Sequence, residues 1–257
     1  MAKVVSRDET RIAYDKRGSG PVLILVLGAL NKRGSGKKVA QALSDQFTVV
    51  CYDRRGRGDS GEARPYSVEK EIDDLEALID ALGGSAYLYG HSSGGVLALL
   101  AAQKLGVKVA GLAVYEIPYN RDPTALEASE EYRRRVRQLL AEDKRGDAVS
   151  LFVKSVGVTD KQIEAMQRLP LWKSLTAMAP TLEYDTVEIM ERYPTIDART
   201  IDAPTLVMFG AASPAFMAAT AHELSQAMPN ATLRSLECQS HDVKPGVLAP
   251  TLEAFFK

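Results

Sequence analysis

Ser92 stands in the hexapeptide Gly90-His91-Ser92-Ser93-Gly94-Gly95. A β-rich run over 86–89 precedes it, and a small, apolar, helix-forming stretch over 94–105 follows. The spacing G-x-S-x-G between a strand and a helix marks a hydroxyl carried on a very sharp turn. Such a turn places Ser92 at positive φ, so Gly90 and Gly94 must be small enough for strand and helix to pass each other. The chemistry available is nucleophilic attack by Ser92 Oγ, with the Ser93 N–H, at the start of the helix, aimed at the same point.

A serine hydroxyl is a weak nucleophile at neutral pH and needs a base within hydrogen-bond reach. The chain has three histidines. His91 adjoins the nucleophile, where its side chain points away into the structure, and reads as packing. His222 falls in the middle of a helix predicted over 216–228 and reads as a surface residue. His241 follows a last strand expected over 232–236, in a loop able to bring an imidazole over Ser92. It is the candidate base.

The elements around these residues alternate between strand and helix, which predicts an α/β fold with a mostly parallel sheet. Continuous apolar runs at 22–27, 47–52, 86–89, 109–115 and 205–209 suit strands covered on both faces. A short strand at 3–5 and an alternating one at 10–15 predict an antiparallel hairpin on the sheet edge. Val68, Ile72, Leu75, Leu78, Ile79 and Leu82 share one helical face. Ser67 is its N-cap, Glu69 and Glu71 sit in its first turn, and Gly83-Gly84 ends it. A last helix is expected over 250–256. Residues 120–200 break the rhythm with helical segments near 126–143, 159–169 and 171–190, punctuated by Pro170, Pro180 and Pro194. An insertion that long between two strands reads as a helical lid with its own core. The expected organisation is a core of 1–119 and 201–257 with a lid of 120–200.

Composition narrows the function. The chain has 257 residues, 46% hydrophobic and 25% charged, with 32 Lys+Arg against 33 Asp+Glu for a net charge of −1. That balance offers no broad surface for nucleic acid or anionic lipid. The longest apolar run, from Val22 to Leu30, is well short of the roughly 20 residues of a membrane span. The first residues carry no signal-peptide pattern, so a cytoplasmic location is expected. Cys51 and Cys238 are too few for a disulfide framework. No Cys/His spacing for zinc, no P-loop and no G-x-G-x-x-G after the first strand occurs, so no cofactor and no metal are implied.

Four stretches in order make the chain resemble the α/β-hydrolase fold superfamily over essentially its whole length. They are the elbow around Ser92, Val26-Leu27-Gly28-Ala29-Leu30 after the third strand, Asp53-Arg54-Arg55-Gly56-Arg57-Gly58-Asp59-Ser60 after the fourth, and Ser240-His241-Asp242. The resemblance implies an eight-stranded sheet flanked by helices, with the lid between strands 6 and 7. It also implies an oxyanion hole from the backbone N–H groups of Ala29 and Ser93, each such donor being worth about 3–4 kcal/mol.

The third member of a Ser-His-acid triad is less direct. Many relatives place an Asp after the seventh strand, where this chain has Ser213, and a hydroxyl cannot stabilise an imidazolium as a charge does. Other relatives carry the acid at the end of the sixth strand, where this chain has Glu116. A carboxylate there is costly unless it has a partner, so Glu116 is the candidate acid and Asp122 its fallback. Asp242 adjoins the base but cannot fold back to orient it.

The expected activity is hydrolysis of a small, apolar ester, lactone or thioester. A C–C bond hydrolase or lyase using the same Ser/His pair is an alternative, as is a ligand-binding protein of low turnover. Arg133, Arg134, Arg135 and Arg137 read as a solvated helix face, and Arg54, Arg55 and Arg57 as structural hydrogen-bonding groups. Trp172, Met178, Tyr115, Tyr119, Phe216 and Met217 could line an acyl pocket or form core.

Overall fold

A computed structural model describes all residues 1–257. Eight strands form one sheet: β1 Ala2–Val5, β2 Arg11–Arg17, β3 Val22–Val26, β4 Thr48–Tyr52, β5 Ala86–His91, β6 Val109–Tyr115, β7 Thr205–Gly210 and β8 Ala231–Leu236. Their spatial order is β1-β2-β4-β3-β5-β6-β7-β8. The β1–β2 and β2–β4 pairs are antiparallel, and the rest are parallel. The apolar runs therefore became buried central strands, and the alternating N-terminal hairpin took the edge.

From β3 the chain steps to β4 on one side and later returns to β5 on the other. In an open parallel sheet such a reversal leaves a crevice at the carboxyl ends of the two strands. The loop after β3 and the turn after β5 meet there.

Helices cover both faces. α1 Lys37–Leu43 and α10 Pro245–Phe256 pack on one side, with Phe47, Leu248 and Leu252 in their shared core. α2 Val68–Ala81 and α3 Ser93–Leu105 pack on the other, burying Leu75, Leu78, Leu97 and Leu99. Ser67 caps α2 by accepting from the Lys70 N–H, and Gly83 and Gly84 both adopt positive φ beyond its end. α1 is short and carries two lysines, which hid it from periodicity. α10 begins five positions before the expected 250, because Pro245 serves as its first residue.

Between β6 and β7 lie only helical segments. These are α4 Pro123–Ala141, α5 Arg145–Ser155, α6 Asp160–Gln167 and α7 Pro170–Met178, then a π-helical turn Tyr184–Ile189 running into α8 Met190–Arg192. α9 Ala215–Ala227 follows β7. The helix expected over 171–190 is thus broken. Pro180 in a short 3-10 turn ends the α7 hydrogen-bond pattern, and the chain rewinds as a π-turn. α5 was hidden by its weak amphipathicity. The insertion has its own core of Val136, Leu139, Val149, Leu175, Met178 and Leu182, which also takes in Leu30 from the β3 loop. No helix is long and apolar enough to cross a membrane.

α3 can reach the sheet only because its start is bare. A Cβ on Gly94 would sit 2.1 Å from the Val26 carbonyl oxygen, and one on Gly90 would sit 2.6 Å from Gly95 Cα. Both obstacles are backbone and cannot swing aside. Gly94→Ala is therefore expected to lower the urea midpoint of unfolding by the equivalent of about 3 kcal/mol, the upper end of overpacking costs. Gly246→Ala, at a glycine with open space around it, should stay within about 0.5 kcal/mol of wild type. Equal midpoints for the two variants would refute the packing argument.

Candidate active site

Ser92 occupies the turn between β5 and α3 at φ 57° and ψ −130°. Its N–H donates to the Tyr115 carbonyl at 3.0 Å and its carbonyl accepts from the Gly95 N–H at 2.8 Å, so the strained unit is pinned at both ends. Ser93 opens α3, where an N–H has no intrahelical acceptor. Ser92 Oγ makes no hydrogen bond to another protein group. A Cβ on Gly28 would lie 3.0 Å from Ser92 Cβ, so the loop after β3 runs directly against the serine.

Glu116 follows β6 at φ 56°, a left-handed conformation that turns its side chain across the sheet edge. It is 2% exposed. One carboxylate oxygen accepts from the Gly210 N–H at 2.7 Å, and the other faces His241 Nδ1 at 3.4 Å. A carboxylate only accepts, so Nδ1 is the donor in that contact. Burial alone would push the Glu116 carboxyl up. The His241 contact, the Gly210 N–H and the Ser213 hydroxyl together outweigh burial and hold it below the ordinary glutamate value. Ser213 brings its hydroxyl to this carboxyl without an aligned hydrogen bond.

The loop carrying His241 is built to hold still. Tyr115 donates its hydroxyl to the Ser240 carbonyl at 2.5 Å, and His91 Nε2 donates to the His241 carbonyl at 2.9 Å. The Ala212 N–H donates to the Gln239 carbonyl, and Gln239 Oε1 accepts from the Lys244 N–H. The His91 and His241 rings lie 4.8 Å apart between centroids. The structure thus brings Glu116 and His241 into contact, sets Ser92 on its turn, and leaves the Ser92 hydroxyl unpaired. Catalytic hydrogen bonds to a nucleophile commonly close only once substrate is bound.

On the other side of Ser92, Leu27-Gly28-Ala29-Leu30 ends in a left-handed residue, Leu30 at φ 55°. Asn31 donates to the Ala29 carbonyl at 3.1 Å. Beneath this loop the Asp53–Ser60 turn sends three buried arginines inward. Arg55 pairs with Asp74 and Asp8. Arg54 forms a two-pronged pair with Glu71, and both Arg54 and Arg57 reach Asp185 of the π-turn.

The profile of the Alpha/beta hydrolase family matches residues 29–250 of this chain. The chain belongs to the alpha/beta hydrolase family. It is similar over 100% of both chains to the crystal structure of an alpha/beta hydrolase from Sphaerobacter thermophilus DSM 20745, at 46% identity and a TM-score of 0.89. An uncharacterized hydrolase of Bacillus subtilis, YraK, is 40% identical over 92 residues, 34% of this chain and 34% of that protein. A 2-(acetamidomethylene)succinate hydrolase of Mesorhizobium japonicum is 31% identical over 117 residues, 45% of this chain and 42% of that protein. The match thus spans well under half the length of these two curated relatives.

Among the other residues singled out in this family member, Asp122 is exposed and spends its carboxylate capping α4, accepting from the Thr124 and Ala125 N–H groups. His222 is exposed on α9. Arg134, Arg135 and Arg137 are exposed, while Arg133 is half-buried beside Glu191. Tyr115 and Met178 are core, Met217 is buried in α9, and the Tyr119 ring lies tilted against Tyr193. Trp172 and Phe216 are half-buried.

Two residues escaped sequence reasoning. His91 is not inert packing, because its ring holds the backbone of His241. Asp185 lies three positions after Leu182 and four before Ile189 on an otherwise apolar helical face. That placement, with more arginines than one turn needs, was the available signal.

Burial, and then the neighbouring His241, lower His91 from the ordinary 6.5 to about 4. The unfolded chain binds this proton first as pH falls, so stability is full above about 6.5 and drains away down to about 4. Wild type should lose on the order of 3 kcal/mol more than His91→Gln over that window in urea unfolding. Parallel pH profiles for the two proteins would contradict this account of His91.

Proposed function

We propose that this hydrolase cleaves a carboxylic ester, lactone or thioester through an acyl-enzyme on Ser92. The observation that carries the reading is the buried Glu116 carboxylate, anchored by the Gly210 N–H and turned onto His241 Nδ1. An isolated buried carboxylate is expensive. One that points at an imidazole, on a loop held by His91 next to the strained Ser92, has a chemical use.

In this mechanism Ser92 Oγ attacks the carbonyl carbon as His241 Nε2 takes its proton. Charge moves to the carbonyl oxygen, where the Ala29 and Ser93 N–H groups receive it. His241 then protonates the leaving alcohol, alkoxide end or thiol, and the ester of Ser92 remains. Water enters, His241 removes its proton, and the second tetrahedral intermediate collapses to release the acid and restore Ser92. Glu116 stays ionised throughout and stabilises the imidazolium. The helical insertion acts as the lid that selects the acyl group, with Leu30, whose side chain packs into its core, joining the two.

The direct test is steady-state hydrolysis of short-chain aryl esters. Ser92→Ala should reduce kcat by roughly 10⁶-fold, to background. Glu116→Gln should reduce it by roughly 10²- to 10⁴-fold, whereas Asp122→Asn and Ser213→Ala should stay within a few-fold of wild type. A silent Glu116→Gln beside a crippled Asp122→Asn would overturn the assignment of the acid. A wild type that binds esters without turning them over would favour the ligand-binding alternative.

A further inference from the structure

Asp185 takes no part in the proton transfers above, yet it is fully buried directly behind the nucleophile elbow. It comes from the helical insertion, 92 positions along the chain from Ser93. One carboxylate oxygen accepts from Ser93 Oγ at 2.8 Å and from Arg54 at 2.6 Å. The other accepts from Arg57. Burial would raise this carboxyl, but Arg54, Arg57 and the Ser93 hydroxyl more than compensate and keep it ionised, below the usual aspartate value.

The partners of this carboxylate lead to both candidate oxyanion donors. In a trans peptide the C=O and N–H point in opposite directions, so holding the oxygen aims the N–H. The Gly28–Ala29 unit is held by its oxygen, which accepts from Arg57 at 2.8 Å. The Ala29 N–H on the far side donates to no protein acceptor. The Ser92–Ser93 unit is held by its own oxygen, through the Gly95 N–H at 2.8 Å. The Ser93 side chain then fixes the first turn of α3 against Asp185.

Arg57 has only two attachments, Gly28 and Asp185, and its Nε has no partner. Asp185 is thus the group that locates the Arg57 fork, and through it the loop after β3.

We propose that Asp185 is a positioning residue for the oxyanion hole. Its single carboxylate spans the Ser93 half and, through Arg57, the Ala29 half, and so sets the gap between the two N–H donors. The hole is then complete only when the helical insertion is docked, which couples the lid to the chemistry. This inference rests on the ester-hydrolase reading, because it concerns where that reaction places its negative charge.

The test compares wild type, Asp185→Asn and Ser93→Ala by aryl-ester kinetics and by inhibition with a trifluoromethyl ketone. Ser92 Oγ adds to the ketone carbon, its proton passes to His241, and the carbonyl oxygen becomes an oxyanion seated in the hole. A misplaced donor costs transition-state binding and leaves ground-state binding alone. Both variants should therefore lose roughly 10- to 100-fold in kcat with KM within about threefold of wild type. The ketone inhibition constant should rise by the same factor as kcat/KM falls.

Ser93→Ala leaves every ion pair in place and keeps the backbone donor, so it carries the test if Asp185→Asn does not fold. Unchanged kcat in Ser93→Ala would overturn the proposal, as would a kcat loss with unchanged ketone inhibition. A wild type that hydrolyses no ester would overturn the hydrolase reading and this inference together. That case is told apart because the parent protein itself is then inactive.

Discussion

Helix α3 starts closer to the end of β3 than any side chain would permit, and most of the site follows from that contact. With Gly94 resting on the Val26 and Leu27 backbone, the chain leaving β5 has room for one residue before it must turn. That residue, Ser92, is forced to positive φ. The strain costs on the order of 1–3 kcal/mol and persists only where the surroundings over-determine it. Here they do so through both backbone hydrogen bonds of Ser92 and through the apolar body of α3, whose Val96, Leu97 and Leu99 are completely buried between the sheet and α2. The core holds the serine, and the serine has no other conformation to relax into.

Charge is managed with similar economy at the sheet's carboxyl edge. Glu116 takes a left-handed conformation so that its carboxylate can reach both a backbone N–H of β7 and the imidazole of the next loop. Glu71, Arg54, Asp185 and Arg57 form a balanced set of two anions and two cations, nearly free of solvent. Removing one member of such a set leaves an uncompensated buried charge, and breaking a buried pair typically costs about 3–5 kcal/mol. Its position gives Arg54 and Arg57 of the turn after β4 a use, since they also donate to the Leu27 and Gly28 carbonyls. These two side chains are the floor on which the loop after β3 rests.

Much of this was readable from residue order. Continuous apolar runs specified the central strands, because a strand covered on both faces has no reason to alternate. The Gly-x-Ser-x-Gly spacing located the turn, because only glycine satisfies those contacts. The position of His241 and the replacement of an expected acid by Ser213 directed attention to Glu116, and the structure places Glu116 against His241.

What stayed hidden depends on long-range contact. The 171–190 segment breaks at Pro180, but the π-turn that follows brings Asp185 onto Arg54 and Arg57, a contact that no local period encodes. The role of His91 required knowing that the loop holding His241 passes over it. Asp185 did not stand out in residue order, because its partners Ser93, Arg57 and Arg54 lie 92, 128 and 131 positions away.

The central claim is that the backbone holds Ser92 as an activated nucleophile. Labelling with a fluorophosphonate, read by intact mass and by peptide mapping, tests it without knowledge of the natural substrate. The account predicts one phosphonyl group per chain, on the peptide containing Ser92, with the rate of labelling falling sharply when His241 is replaced by Ala. Modification elsewhere, no modification, or a rate indifferent to His241 would contradict it.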